Sequence, residues 1–488
     1  MLARTVTHAL VGLDPHRVEV EAHLQRGAPS FAIVGLADRA CQEAKHRVRS
    51  GITSAELEWP GKRITVNLAP AALRKEGSGF DVPIALALLA ASHQVPPEAL
   101  DGHAAFGELA LDGRLRPVAG ALVAAEGARR AGLRRLVCPA ESAPEVALAG
   151  VEPVPSAHLA DAVAYLRGER APPPFDADVA HVGSVEAAFA ADLADVRGQE
   201  RARRALEVAA AGGHNLLLVG PPGVGKTMLA RRLPGVLPPL DDDAALEVTR
   251  IHSVAGILTP GSGLIRVPPF RAPHHSASTA AIVGGGPGPR PGEASLAHRG
   301  VLYLDELPEF QRAVLEALRQ PLEDGVVWVA RVLGRAVFPA RFQLVATMNV
   351  CPCGARGDPA LECVCTPQRI ERYRVRLSRA LLDRFDLVLA VRRPLGGELA
   401  GDAGEASESV RARVLQARSR LTASTPAMSD AADRLLTQAV ERLALSGRGR
   451  ARTARVAGSI ASLAGAAVVE AEHLAEALSY RPPPEVTT

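Results

Sequence analysis

The sequence predicts a multidomain α/β protein: a mixed α+β N-terminal block, a doubly wound phosphate-loop core and a helical C-terminal block. Three observations carry this. The chain has 488 residues, more than one hydrophobic core accommodates. Residues 193–395 run as apolar strands, polar loops and helices in alternation, the rhythm of a doubly wound sheet. Two stretches interrupt the pattern: the stiff Ala171-Pro-Pro-Pro174, and the Gly-rich, acidic residues 396–409. The expected division is therefore 1–168, a linker at 169–192, the core at 193–395, a mobile connection at 396–409, and helices over 410–488 with a frayed end at Pro482-Pro-Pro484.

Each block has its own signals. In the first, alternating apolar residues at 63–68 predict a strand, residues 82–91 a buried helix, and residues 129–139 a helix end followed by a strand at 136–138. In the core, residues 215–219, 301–304 and 342–347 are apolar runs of strand length. From Val410 onward Ala, Arg and Leu dominate at helical spacing, so helices are expected throughout.

Composition excludes several classes. Hydrophobic residues make up 47% and charged residues 22%, as in ordinary globular proteins. No apolar run is long enough to span a bilayer, and residues 1–8 lack a signal-peptide pattern, so a cytoplasmic protein without membrane attachment is expected. The net charge of +3 gives no global basic field, so nucleic-acid binding must come from local patches or a ring of subunits. Of 56 basic residues only four are lysines: Lys45, Lys62, Lys75 and Lys226. A lysine that survives such a bias toward arginine marks a place where a compact ammonium is needed.

Lys226 stands in such a place. Gly220-Pro221-Pro222-Gly223-Val224-Gly225-Lys226-Thr227 follows the 215–219 strand and opens a helix, the context a phosphate loop requires. Its glycines let backbone N–H groups turn toward phosphates at a helix N-terminus. Lys226 is expected on the β- and γ-phosphates of ATP, and Thr227 on Mg²⁺. The 301–304 strand ends in Asp305-Glu306, with Asp305 expected to hold Mg²⁺ and Glu306 to polarise the attacking water. The third strand ends at Asn349, which either terminates it or hydrogen-bonds the γ-phosphate or water. Arg384 precedes a strand at 387–391, where an arginine reaches a neighbouring subunit's γ-phosphate or pairs with Asp383 or Asp386; Arg379 is a rival for that role.

Four of six cysteines form two Cys-x-Cys pairs, Cys351/Cys353 and Cys363/Cys365. Four thiolates are the ligand set of a closed structural Zn²⁺ site, and Pro352, Gly354, Gly357 and Pro359 allow a tight knuckle. The one-residue spacing is unusual, and four free thiols are the alternative. A metal here would brace the loop after Asn349.

With these motifs in hand the chain resembles the magnesium-chelatase-like AAA+ ATPases of the ComM/YifB family over nearly its whole length. The resemblance is carried by Lys62-Arg-Ile-Thr-Val-Asn-Leu-Ala-Pro70, Arg74-Lys-Glu-Gly-Ser-Gly-Phe-Asp-Val-Pro83, Phe270-Arg-Ala-Pro-His-His-Ser276, Arg290-Pro-Gly-Glu293 and residues 296–306. It implies an AAA+ core with elements inserted between Thr227 and Asp305, a C-terminal lid, a homo-oligomeric ring expected to be a hexamer, and a motor acting on single-stranded or branched DNA. In the lid, residues 446–455 resemble the second-sensor segment, which points to Arg455; the family often has a further arginine where Gly458 stands, so Arg452 stays a rival. His274 and His275 are either pore-facing or a packed pair.

The first block resembles the Lon-type peptidase domain. Ser78 falls on its nucleophile loop, but Leu122 stands at the position of its lysine, and no lysine occurs between Lys75 and Lys226. Arginine cannot act as the base of a Ser–Lys dyad, so the block is expected to be proteolytically inactive. Lys45, Arg47, Arg49, Lys62, Arg63, Arg74 and Lys75 either track a phosphate backbone or form a solvated surface. The alternative function is a chelatase motor subunit that drives metal insertion with partner subunits. Against it stand the cysteine cluster and the expectation that chelatase resemblance is confined to the later blocks.

Overall fold

A computed structural model describes residues 1–175, 191–259, 261–286, 289–331, 334–358, 360–443 and 445–481. Most of the expected 169–192 linker, Pro359 and Pro482-Pro-Pro484 lie outside the described residues.

The N-terminal block is built on a seven-stranded mixed sheet. Its order is Ser30–Val34, Arg63–Ala69, Asp14–Gln25, Leu2–Val11, His103–Ala105, Arg135–Pro139 and Glu152–Ser156. The helix Asp81–Ala91 is apolar on every side and buried along its whole length, as a helix without a polar face must be. Its first residue, Asp81, is fully buried and takes a bidentate pair from Arg47 at 2.5 and 3.0 Å. Burial still lifts the Asp81 carboxyl to about 6, the Arg47 contacts opposing that rise.

The core sheet has five strands, all parallel, in the order Phe270–Arg271, Val301–Leu304, Gln343–Met348, Leu216–Val219 and Leu387–Ala390. The runs Leu-Leu-Leu-Val and Gln-Leu-Val-Ala-Thr-Met are buried at every position, which is why they read as continuous apolar segments rather than alternating ones. Because the strands are parallel, their carboxyl ends share one edge: Val219 lies beside Met348, and Leu304 beside Ala346. A hairpin, Val326–Arg331 and Gly334–Pro339, is inserted in sequence between the strands Val301–Leu304 and Gln343–Met348.

The C-terminal helices Ser407–Ala423, Asp430–Arg442, Gly447–Leu463 and Ala471–Ser479 share a hydrophobic core with Leu206, Leu229 and Leu233 of the core domain. Two details differ from the sequence reading. The segment 396–409 holds a helical turn, Gly396–Ala400, and the long helix already starts at Ser407, because Ser407 and Asp192 tie that start to the core. The C-terminal block also contains a short parallel pair, Ala427–Met428 with Val468–Val469.

The N-terminal block docks on the core through a polar seam. Arg250, on the helix Asp242–Ala255, pairs with Glu126 at 3.1 Å and donates to the Leu13 carbonyl at 3.2 Å. Gly120 N–H donates to the Ser253 carbonyl at 3.0 Å, and the Ser253 hydroxyl donates to Glu145. Nearby, the turn at Gly12 touches Ala336 and Phe338 of the hairpin.

Candidate active site

At the carboxyl edge of the core sheet the phosphate loop wraps its own lysine. Gly223 and Gly225 take φ of +76° and +92°, conformations open to glycine. Lys226 Nζ donates to the carbonyls of Gly220 and Pro221 at 2.7 Å each and to Asn349 Oδ1 at 3.0 Å. Burial lowers the Lys226 pKa to about 8, with Asp305 and Glu306 opposing the fall. Thr227, the next residue, donates from its hydroxyl to Asp305 Oδ2 at 3.3 Å.

Asp305 and Glu306 sit where the second strand ends. Thr347 organises both: its hydroxyl donates to Asp305 Oδ1 and accepts from the Glu306 N–H at 3.0 Å. Glu306 is exposed and holds φ +53°, ψ +54°, a left-handed backbone that costs a non-glycine residue energy and aims the carboxylate outward. Lys226, Thr227, Asp305, Glu306 and Asn349 therefore converge on one edge. Thr347 was missed by sequence reasoning; a hydroxyl two residues before Asn349, on a strand otherwise apolar after Gln343, was its signal.

Arg384, Arg452 and Arg455 lie at the other end of the same strands. Asn215, which precedes the phosphate-loop strand, donates its N–H to Asp386 Oδ2 at 3.0 Å and its side-chain amide to the Arg384 carbonyl at 2.9 Å. Arg384 is buried, and its guanidinium pairs with Glu323, not with Asp383 or Asp386 as one sequence alternative had it. Glu323 is 61 positions earlier in the chain, beyond the reach of local pattern. Arg455 lies 3.2 Å from Asp386 Oδ1 and Arg452 3.9 Å from it. Burial, then the neighbouring guanidinium groups, push Arg384 below its usual pKa. These side chains line a groove of about 970 Å³. Strands four residues long separate the two edges by about 13 Å. Arg379 opens the helix just before and is exposed.

The four cysteine sulfurs lie within 4.8 Å of one another. Three of the separations are 3.4, 3.7 and 3.7 Å. Tetrahedral zinc bound by four thiolates at about 2.3 Å places sulfurs about 3.8 Å apart, so the cluster fits the ion. The Arg356 N–H donates to Cys351 Sγ at 3.4 Å, and the Ala355 N–H pulls the Cys353 thiol down to about 6.

Other sequence candidates are used up. Lys75 is fully buried with its amine on the Gly35 and Pro70 carbonyls, and Arg47 is spent on Asp81, so the basic cluster of the first block loses two members. Among the described residues no hydrogen bond joins Ser78 to a lysine, and Leu122 is fully buried. The rings of His274 and His275 lie 4.0 Å apart, with His275 edge-on to Phe310. Among the described residues no helix is long and apolar enough to cross a membrane.

A phosphate loop on a parallel sheet, an acidic pair on the adjacent strand and a helical C-terminal domain define an ATPase of the magnesium-chelatase-like type. Family models agree. One described as "Magnesium chelatase, subunit ChlI" matches residues 192–399, "Subunit ChlI of Mg-chelatase" matches 20–142, and "Magnesium chelatase, subunit ChlI C-terminal" matches 404–481. A Mycobacterium tuberculosis protein is 46% identical over 506 residues, 98% of each chain. YifB of Escherichia coli is 44% identical over 497 residues, 97% of this chain and 96% of its own. Competence protein ComM of Haemophilus influenzae is 43% identical over 501 residues, 98% and 97%. The chain belongs to the magnesium-chelatase-like ComM/YifB family. One expectation is corrected: a chelatase-named model also matches residues 20–142, so chelatase resemblance is not confined to the later blocks.

Proposed function

We propose that this protein is an ATP-hydrolysing motor working as a ring in the cytoplasm, six protomers being the expected count. It would move single-stranded or branched DNA in natural transformation or recombination. The observation that carries the ATPase part is the division of the site. One edge of the sheet offers Lys226, Thr227, Asp305, Glu306 and Asn349; the other offers Arg384, Arg452 and Arg455 in a groove. The strand length keeps the arginines from their own phosphate loop, which supports a role toward the ATP of an adjoining protomer. There they would neutralise charge as phosphate is transferred. Thr227 and Asp305 would hold Mg²⁺, whose charge would offset that of the phosphates, and Glu306 would orient water.

The DNA part is supported by near-full-length similarity to a protein named for competence. A chelatase motor subunit is the second reading, favoured by the names of the matching models. ATPase turnover with and without single-stranded and branched DNA separates them. Stimulation by DNA that fades steeply with salt is expected of phosphate contacts. Absence of DNA binding at low salt with a non-hydrolysable analogue would move the assignment to the chelatase class.

The first block is read as a Lon-type peptidase fold without peptidase activity, supported by buried Leu122 and by Lys75 turned toward carbonyls. The four cysteines are read as a structural zinc site, supported by their sulfur spacing. Elemental analysis should return about one zinc per chain.

A further inference from the structure

The cysteine knuckle touches the phosphate loop. It turns at Gly354, where φ is +79°, and a Cβ at that position would lie 2.5 Å from Pro222 Cγ and 2.7 Å from Pro222 Cδ. Only a bare Cα lets the knuckle sit this close to the proline ring. Two residues before Cys351, Asn349 holds the Lys226 ammonium at 3.0 Å. Beyond the turn, Asp358 pairs with Arg393 at 2.6 Å, its carboxylate fully buried. Arg393 follows the strand Leu387–Ala390, the parallel neighbour of the phosphate-loop strand.

Residues 349–358 are thus fastened to the nucleotide site at three points. Of its apolar side chains the knuckle buries only Cys351 and Ala355 among the described residues: Cys353, Leu361 and Val364 are exposed. Apolar burial is therefore a weak source of order for this loop, and a metal on four thiolates would be its main one.

We propose that the metal held by Cys351, Cys353, Cys363 and Cys365 sets the grip of the phosphate loop on nucleotide. This rests on the zinc reading above. With metal bound, the knuckle props Pro222 and fixes Asn349 against Lys226. When the metal leaves, the prop collapses and nucleotide affinity falls, while the sheet and the C-terminal helices, built on other contacts, stay folded. ATP use thereby becomes responsive to zinc supply.

The test is equilibrium binding of a non-hydrolysable ATP analogue to the full chain in excess Mg²⁺, with zinc content measured on each sample. Removing zinc with a zinc-selective chelator should weaken binding about tenfold, and returning zinc should restore it. Gly354→Ala should weaken binding with zinc retained. Gly357→Ala is the control: φ there is +87° with nothing within 4 Å, so it imposes similar backbone strain without contact with Pro222. It should bind near wild type. Pro222→Ala combined with Gly354→Ala should recover affinity by making room. Zinc-free protein with unchanged affinity, or equal effects of the two glycine changes without rescue, overturns the coupling and leaves the zinc site standing. A chain purified without chelator that holds no zinc overturns both.

Discussion

The two edges of the core sheet are made of the same strands and are electrically opposite in design. At the carboxyl edge the buried charges have partners from their own neighbourhood: Lys226 has three oxygens, and Asp305 has two hydroxyls. At the amino edge, Arg384, Arg452 and Arg455 crowd around Asp386 and Glu323, and Arg384 Nε is buried with no hydrogen-bond partner. A buried guanidinium left short of acceptors is costly. The first edge is finished within one protomer; the second carries surplus positive charge that a triphosphate from outside would balance.

The largest expected effects test the finished edge. Lys226→Ala should abolish tight ATP binding. Glu306→Gln should keep binding while turnover falls about 10²- to 10³-fold, since it loses the base and keeps the metal ligands. Normal turnover by Glu306→Gln would remove that residue from the mechanism. The next test joins the edges. Arg384→Ala and Lys226→Ala proteins, each inactive, should recover some ATPase activity when mixed, because mixed rings contain intact interfaces. No recovery in rings verified as mixed breaks the comparison.

Smaller effects sharpen it. The Arg455 side chain is 65% exposed and that of Arg452 9%. Arg455→Ala should therefore slow ATP hydrolysis about tenfold with an unchanged melting temperature. Arg452→Ala should lower stability by about 1–2 kcal/mol. The reverse pattern would make Arg452 the second sensor. Analogue affinity should fall as pH rises through about 8, where burial has placed the Lys226 pKa, because binding must then recruit a proton. Calorimetry in buffers of different ionisation enthalpy should show proton uptake at pH 9 and little at pH 7.

The smallest effect concerns His214, beside the arginine edge and bonded to Ser459 Oγ at 2.8 Å. Burial lowers its pKa from 6.5 to about 4. The unfolded chain then takes the proton first, so stability is whole above 6.5 and lost as pH falls toward 4. A pH series of melting temperatures should flatten over that window in His214→Gln.

The carboxyl edge was legible because its parts are local. A strand buried on both faces writes itself as Leu-Leu-Leu-Val, and the loop after it needs glycines in fixed places. The arginine edge was legible as residues but not as a constellation: Glu323 comes from a different helix, and Arg455 meets Asp386 across 69 positions. Lys75 misled for a related reason. Its scarcity marked it as special, yet what makes it so is a pair of backbone carbonyls, which no side-chain pattern announces. The seam between the first block and the core was invisible too, since Glu126 and Arg250 read as ordinary surface charges until the fold brings them together.

That seam decides how this chain can be recombined with its relatives. The proline-rich stretch after residue 170 looks like the natural crossover point for a chimera. The structural boundary runs elsewhere, through Leu13, Gly120, Glu126 and Glu145 on one side and Arg250 and Ser253 on the other. Glu145 also accepts the Leu122 N–H at 3.0 Å, and the Leu122 side chain is fully buried. A graft that carries Leu122→Lys would drive an ammonium into a sealed joint. Swaps should therefore carry the first 175 residues together with the helix Asp242–Ala255, as one inherited piece.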